Sequence, residues 1–461
     1  MRSLTLLLLT LTAAAQTKSD FQVTSQLIVE TVTVKRGNQF DHGLTANDFI
    51  ITENGVPQQI KLFELQTIPE GPGEPLPEID EKSRPALLDK LPKTRIAPEP
   101  PGTTRYQNRR LLALYFDMTA MQDADQLRAL SAAQKFVRSQ MGPNDLLSIL
   151  RFTGGAVQVL QDFTADRARL LTILQTMIVG ENDSVDADPG DSSSADTGAA
   201  FGQNDGEFNV FNTDRQLSAL QTAARMLGQV NEKKVLVYFA SGLRLNGSDN
   251  QAQLRATLNA AIRAGVSFWP VDARGLVAGA PLGDATRGSH GGIDMYTGGS
   301  ALAVQSGFQR SQDTLWSLAA DTGGKALLDS NDLAAGVRHA QQSMSSYYLI
   351  GYYSSNTALD GKFRKITIKL REGLASASLD YRQGYYAGKQ FAKFTAADKE
   401  RQLEEALMLE DPVTELTIAA EVGYFQLNRA EYYVPFAVKI PGRELSLARR
   451  GGAEHTRIDL I

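Results

Sequence analysis

The stretch from Arg109 to Met121, RRLLALYFDMTAM, sets the strongest limit on what this chain can fold into. Leu111 to Phe116 is an unbroken apolar run with two aromatic residues, closed by Asp117 and followed by Thr119. A run that short and without polar interruption reads as a strand buried on both faces of a parallel sheet. A carboxylate at the C-terminal end of such a strand lies where open α/β sheets bind ligands. Strand-like and helix-like segments then alternate. The expected strands are Leu111–Asp117, Leu146–Phe152, Val157–Phe163, Val235–Ala240, Val266–Val271 and Lys325–Leu328. The expected helices are Gln126–Gln140, Ala165–Met177, Arg215–Gln229, Gln251–Ala264, Thr314–Ala320 and Leu333–Ser343. Gly265 is placed to end the fourth helix, and Asp214 and Asn331 or Asp332 to cap the third and last. The predicted class is α/β, with a doubly wound, mostly parallel sheet over residues 107–345.

The flanks read differently. Met1–Gln16 has the Arg2 n-region, the Leu4–Leu11 apolar core and the Ala13-Ala14-Ala15 site of a secretory signal. Residues 17–68 form a small β unit, with LIVETVTV at Leu27–Val34 and a hairpin at Asn54-Gly55. Residues 69–106 carry nine prolines among charges, a semi-rigid linker. Residues 346–390 form a β extension, with strands Tyr347–Tyr353, Phe363–Leu370 and Ala375–Tyr386 and a hairpin expected at Asp360-Gly361. In residues 391–461, a helix at Thr395–Leu409 precedes strands Leu416–Leu427 and Tyr432–Lys439. Thr456–Ile461 reads as the start of a further strand, so this C-terminal β unit is expected to be incomplete. Two insertions interrupt the α/β region: an acidic, Gly/Ser-rich one at Glu181–Asn209 and a Gly-rich one at Gly275–Arg310. The acidic one lacks the fixed ligand offsets of an EF-hand and reads as a solvated loop.

Composition excludes several functions. The net charge of −5 argues against nucleic acid as a partner. No cysteine is present, which removes disulfides, thiol catalysis and cysteine zinc sites. After the leader, no apolar segment is long enough for a transmembrane helix. No G-x-S-x-G elbow, P-loop or G-x-G-x-x-G occurs, and Gly324-Lys325 is followed by Ala326 where a P-loop needs Ser or Thr. The histidines His42, His290, His339 and His455 are too scattered for a zinc-protease helix. No residue set reads as catalytic.

Asp117-Met118-Thr119-Ala120-Met121 resembles the metal-ion-dependent adhesion site of a von Willebrand factor A (VWA) domain. The resemblance is strongest to the VWFA-related proteins typical of Acidobacteria. It is carried by Gly43–Phe49 (GLTANDF), Val271–Leu276 (VDARGL), Leu318–Gly324 (LAADTGG), Tyr347–Tyr353 (YYLIGYY), Asp360–Lys365 (DGKFRK) and Gly384–Ala387 (GYYA). The family's site is D-x-S-x-S, a threonine on a later loop and an aspartate after the fourth strand. The resemblance therefore implies Asp117, Thr119, Thr213 and Ser241 as the metal-site positions. Two positions depart from the pattern: Met121 replaces the second serine and Ser241 the late aspartate. A thioether is a poor ligand for Mg²⁺, and the lost carboxylate removes negative charge. These departures make a metal-free remnant the expected state. Mg²⁺ or Mn²⁺ is the cation a working site would take.

The reading is an exported, non-enzymatic protein-binding, adhesion or scaffold module whose partner is another protein. The alternatives are an envelope enzyme using two loop carboxylates, or assembly by strand addition at Thr456–Ile461.

Overall fold

The computed structural model describes residues 27–37, 39–69, 95–97, 106–180, 204–245, 247–276, 299–371, 377–388, 399, 417–426, 432–442, 448–450 and 453–455. The expected leader, most of the proline-rich linker, the helix at Thr395–Leu409 and the terminal strand at Thr456–Ile461 lie outside the described residues. So do most of the acidic and Gly-rich insertions.

In chain order the first elements are strands β1 (Leu27–Arg36), β2 (Gln39–Phe40), β3 (Phe49–Glu53), β4 (Val56–Gln58) and β5 (Ile60–Thr67). The α/β region follows: β6 (Arg110–Asp117), α1 (Asp123–Ser139), β7 (Asp145–Phe152), β8 (Gln158–Thr164), α2 (Arg167–Thr176), α3 (Asn204–Leu227), β9 (Lys234–Ala240), α4 (Gly247–Arg263), β10 (Val266–Asp272), α5 (Gly299–Thr322) and α6 (Ala334–Ser343). Strands β11 (Ser346–Tyr353), β12 (Phe363–Leu370), β13 (Ser378–Asp380) and β14 (Gly384–Tyr386) come next.

The α/β region holds one five-stranded sheet in the order β10-β9-β6-β7-β8. Strand β6 is parallel to β7 and β9, β10 is parallel to β9, and only the edge strand β8 runs antiparallel. All eight residues of β6 are buried, because helices cover both faces. Leu111, Ala113 and Tyr115 pack with Leu217 and Leu220 of α3, Leu258 of α4 and Leu315 of α5. Leu112, Leu114 and Phe116 pack with Leu130 and Phe136 of α1, Leu174 of α2 and Val337 of α6. Each such leucine or phenylalanine side chain contributes roughly 1.5–3 kcal/mol by leaving water. The parallel register stacks Phe116 on Phe239 at 4.9 Å on one face and sets Tyr115 against Tyr238 at 5.8 Å on the other. The chain first lays down β6, β7 and β8 in one direction, then returns to place β9 and β10 on the other side of β6. The order reverses between β6 and β9, and a crevice at their C-terminal ends is the expected ligand position.

Several expected elements differ. Helix α3 begins near the end of the acidic insertion, so Asp214 lies inside it and accepts from Asn250 Nδ2 at 2.6 Å rather than capping it. Helix α5 takes in the end of the Gly-rich insertion, far upstream of the expected Thr314 start. Lys325–Leu328 makes only an isolated parallel bridge, Leu327 to Val271. Asn331 and Asp332 do not cap α6 with their side chains: Asn331 accepts from Leu276 N and Asp332 from Lys135 and Arg338.

The two β units expected on either side of this region are one sandwich. Strand β11 pairs antiparallel with both β1 and β5, and β12 pairs with β3 and β14. The sheets are β13-β1-β11-β5, with β2 beside β1, and β14-β12-β3-β4. The alternating burial of β1 turns Ile28, Val32 and Val34 inward against Ile51, Tyr348, Ile350 and Ile366. An N-terminal unit of about 45 residues buries too little surface to stand alone, so its sheets are completed from the far end of the chain. Asn54 and Gly55, at φ 49° and 83°, make the tight hairpin between β3 and β4. Asp360-Gly361 is not a hairpin: β11 and β12 lie in different sheets, and the turn carries the chain across the sandwich edge. Ile68 N donates to Ser345 O at 2.9 Å, where the sandwich gives way to the α/β region.

Among the described residues of the C-terminal region, Ala419–Val422 pairs with Phe436–Lys439 and Phe425–Gln426 with Tyr432–Tyr433, as two-stranded ribbons. No helix among the described residues is long and apolar enough to cross a membrane.

Candidate functional site

The C-terminal rim of the five-stranded sheet gathers the ends of β6, β9 and β10. At its centre Asp117 is fully buried. Its Oδ1 accepts from Thr119 Oγ1 at 2.6 Å, Thr119 N at 3.1 Å and Ala120 N at 3.1 Å. Its Oδ2 accepts from the Tyr238 hydroxyl at 3.0 Å. This is an Asx-type turn closed by the chain's own donors. Burial pushes the Asp117 carboxyl up to about 6, against the opposing pull of the Thr119, Tyr238 and Ala120 hydrogen bonds. Burial and the facing Asp117 raise the hydroxyls of Tyr238 and Tyr115 well above the ordinary tyrosine value.

The other expected positions are engaged elsewhere. Met121 is buried in the core on the α1 side of the sheet, and its carbonyl accepts from Gln126 Nε2 at 3.0 Å. Thr213 in α3 donates its hydroxyl to Arg244 O at 2.8 Å, pinning the loop after β9. From α3 it is Gln216, one turn further on, that reaches the site, with Nε2 3.3 Å from Thr119 Oγ1. Ser241 joins the Asp117 loop through its backbone, N to Ala120 O at 3.2 Å, but its hydroxyl donates to Asp125 Oδ2 at 2.5 Å. Asp125 is also ion-paired with Arg128, whose guanidinium donates to Arg274 O at 2.7 Å. Gly242, at φ +89°, follows at a point where a Cβ would lie 2.7 Å from Ser311 Oγ and 2.8 Å from the Arg274 guanidinium.

At the end of β10, Asp272 is buried and gripped by Arg274, with Nε to Oδ1 at 2.8 Å and a second guanidinium nitrogen to Oδ2 at 2.7 Å. Gln312 adds a donor at 3.3 Å, and the Arg274 guanidinium lies 4.2 Å from the centre of the Phe308 ring. Asp272 and Arg274 stood in a motif of the resemblance but were not assigned to the site. Tyr238 and Gln216 gave no signal in the sequence beyond being the polar members of buried segments. Only the register of β9 on β6 shows that Tyr238 faces Asp117.

The described groups do not converge as a ligand set: Asp117 Oδ1 accepts three hydrogen bonds, and the Thr213 and Ser241 hydroxyls are bonded to Arg244 O and Asp125 rather than to Asp117. Among the described residues, no three Asp, Glu or His side chains converge on one point. The rim instead carries exposed apolar side chains: Leu127 of α1, Phe211 of α3 and Leu276 after β10 are 56%, 53% and 64% exposed. Arg244 and Thr119 are exposed among them.

No family model matches the chain, and no curated protein matches it. Loosely similar solved structures include two that are representative. An aerotolerance-related membrane protein from Bacteroides fragilis NCTC 9343, carrying multiple mutations to serines, aligns over 51% of this chain and 98% of its own, with 14% identity and a TM-score of 0.31. The pilus adhesin SpaC from Lactobacillus rhamnosus GG, in its open conformation, aligns over 72% of this chain at 8% identity and a TM-score of 0.29. This chain spans 50% of that adhesin.

Proposed function

We propose that this chain is an exported, non-enzymatic protein-binding module of the VWFA-related type, and that its rim binds a protein partner without a metal ion. The observation that carries the reading is the rim itself. Its central carboxylate is sealed by Thr119, Ala120 and Tyr238, while Leu127, Phe211 and Leu276 are exposed around it. Exposed apolar residues rimmed by arginine and hydroxyl groups are the composition of a contact surface. The strand order of the central sheet and the Asp117–Thr119 turn support the VWA assignment, and the leader at Met1–Gln16 supports export. The enzyme alternative needs two carboxylates facing each other. The two pushed highest, Glu30 at about 7 and Asp117 at about 6, lie in different modules and are held by their own donors.

Calorimetric titration of the full chain with Mg²⁺ and Mn²⁺, beside Asp117→Ala, tests the metal-free part. The expected result is no saturable heat in either protein. Cross-linking to an envelope extract tests the surface: a partner recovered with the intact chain and lost with the combined Leu127→Ser, Phe211→Ser and Leu276→Ser variant supports the reading. A partner that requires Mg²⁺ and is lost with Asp117→Ala would overturn it.

A further inference from the structure

The sandwich has an open side. Strand β1 pairs with β11 from Leu27 to Val32, but on its other edge β13 covers only Thr33, Val34 and Lys35. Among the described residues, no strand lies along that edge from Leu27 to Val32. The carbonyl of Val29 is met there by the Arg382 guanidinium at 3.4 Å, a long contact standing where a neighbouring strand would place an N–H. Arg382 is held in place by its ion pair with the buried Glu30.

This edge is one wall of a groove of about 230 Å³ between the sandwich and α4. Leu27 and Val29, 40% and 38% exposed, supply its apolar side, and Asn259, Ile262 and Arg263 close it from α4. Tyr386 ties the two walls together, its N–H donating to Asn259 Oδ1 at 3.3 Å. The groove is cationic. Arg263 and Arg255 of α4 form no ion pair among the described residues, and the Arg255 guanidinium lies 5.8 Å from the centre of the Tyr386 ring. Burial, and after it the neighbouring Arg263, lower the pKa of Arg225 on the adjacent helix.

We infer that the free edge of β1 and the arginines of α4 form a strand-addition site for an extended, acidic peptide segment. The peptide backbone would pair with the Leu27–Thr31 edge, taking over the Val29 carbonyl from Arg382. Its apolar side chains would cover Leu27, Val29 and Ile262, and its carboxylates would meet Arg263 and Arg255. Open sheet edges are the recurring place for such pairing, with main-chain hydrogen bonds supplying affinity and flanking side chains supplying selection. This site is separate from the rim and does not depend on what the rim binds.

The test is fluorescence anisotropy of the full-length protein with a labelled peptide of alternating glutamate and valine. Saturable binding is expected, weakened about tenfold by Arg263→Glu through charge reversal. Binding should be abolished when alternate peptide nitrogens are methylated, which removes the ladder donors and keeps every charge. The same peptide with lysine for glutamate should not bind. Absence of saturable binding, or binding indifferent to N-methylation, overturns the proposal whether or not the Arg263 variant folds.

Discussion

The hydroxyl of Tyr238, on β9, donates to Asp117 Oδ2 at 3.0 Å across the point where the strand order reverses. The crevice that usually receives a ligand is here closed at its floor by a bond between two neighbouring strands. Tyr238→Phe would leave that oxygen buried without its donor. A cost of about 1.5–3 kcal/mol is expected when Asp117 is ionised, and a smaller one when it is protonated. Urea denaturation near pH 7.5 and near pH 4.5 reads the difference. Equal losses at both would show that the hydroxyl does not serve the charge.

Asp117 also makes stability depend on pH. Its carboxyl titrates near 3.8 in the unfolded chain and about 6 in the folded one. Between those values the folded state holds a proton that the unfolded state has released. The contribution of this group to stability is therefore greatest below about pH 4, falls as pH rises to about 6 and is level above, by a total on the order of 3 kcal/mol. Glu30, raised from 4.5 to about 7, adds a fall of the same sign over its own window. Asp117→Asn is expected to remove the first part of this slope and to match or exceed the parent protein near pH 7.5. An unchanged slope would mean that Asp117 ionises as an ordinary aspartate.

A second buried carboxylate organises the sandwich. Glu53 accepts from the hydroxyls of Tyr352 at 3.0 Å, Tyr385 at 3.1 Å and Ser354 at 2.7 Å, which joins β3 to β11 and β14. Glu53→Ala takes the acceptor from both tyrosine hydroxyls, while Ser354 keeps Asn356 O, and a loss on the order of 3 kcal/mol is expected by thermal or chemical denaturation. Glu53→Gln keeps an acceptor and should lose roughly half as much. If the alanine variant is as stable as the glutamine one, the network contributes little.

Gly324 closes the LAADTGG segment, and its role is steric. A Cβ there would lie 1.9 Å from Phe268 O. Just before it, Thr322 Oγ1 accepts from Phe268 N at 2.9 Å, so the end of α5 is locked against β10. Gly324→Ala must push the backbones apart and should be severely destabilising, by more than about 4 kcal/mol. A soluble variant with unchanged thermal midpoint would refute this contact.

The buried strands were legible because their chemistry is local. Leu111–Asp117 was expected and Arg110–Asp117 is found, since an apolar run closed by a carboxylate fits little else. The start of α5 was not legible: Gly299–Arg310 is rich in small and polar residues, and it is continuous with the later turns that bury Leu315 and Leu318. The union of the two β units was hidden as well, because strand partners more than 280 residues apart, such as Val29 and Gly351, leave no trace in local periodicity. At the site, Asp117, Thr119, Thr213 and Ser241 were named from the family resemblance; the structure brings Thr119 onto Asp117, whereas the Thr213 and Ser241 hydroxyls bond Arg244 and Asp125, which only packing brings close.

Removing residues 27–67 tests that union. Strand β11 would lose both of its neighbours, and the expected product is an aggregating chain rather than a smaller folded one. A monomeric, cooperatively unfolding fragment beginning at Tyr106 would show that the C-terminal strands stand without the N-terminal ones.

Only Met344 and Ser345 separate α6 from β11, and β11 runs between β1 and β5. A load drawn along β11 would meet hydrogen bonds to both neighbours at once, as parallel rungs that break together rather than peel one at a time.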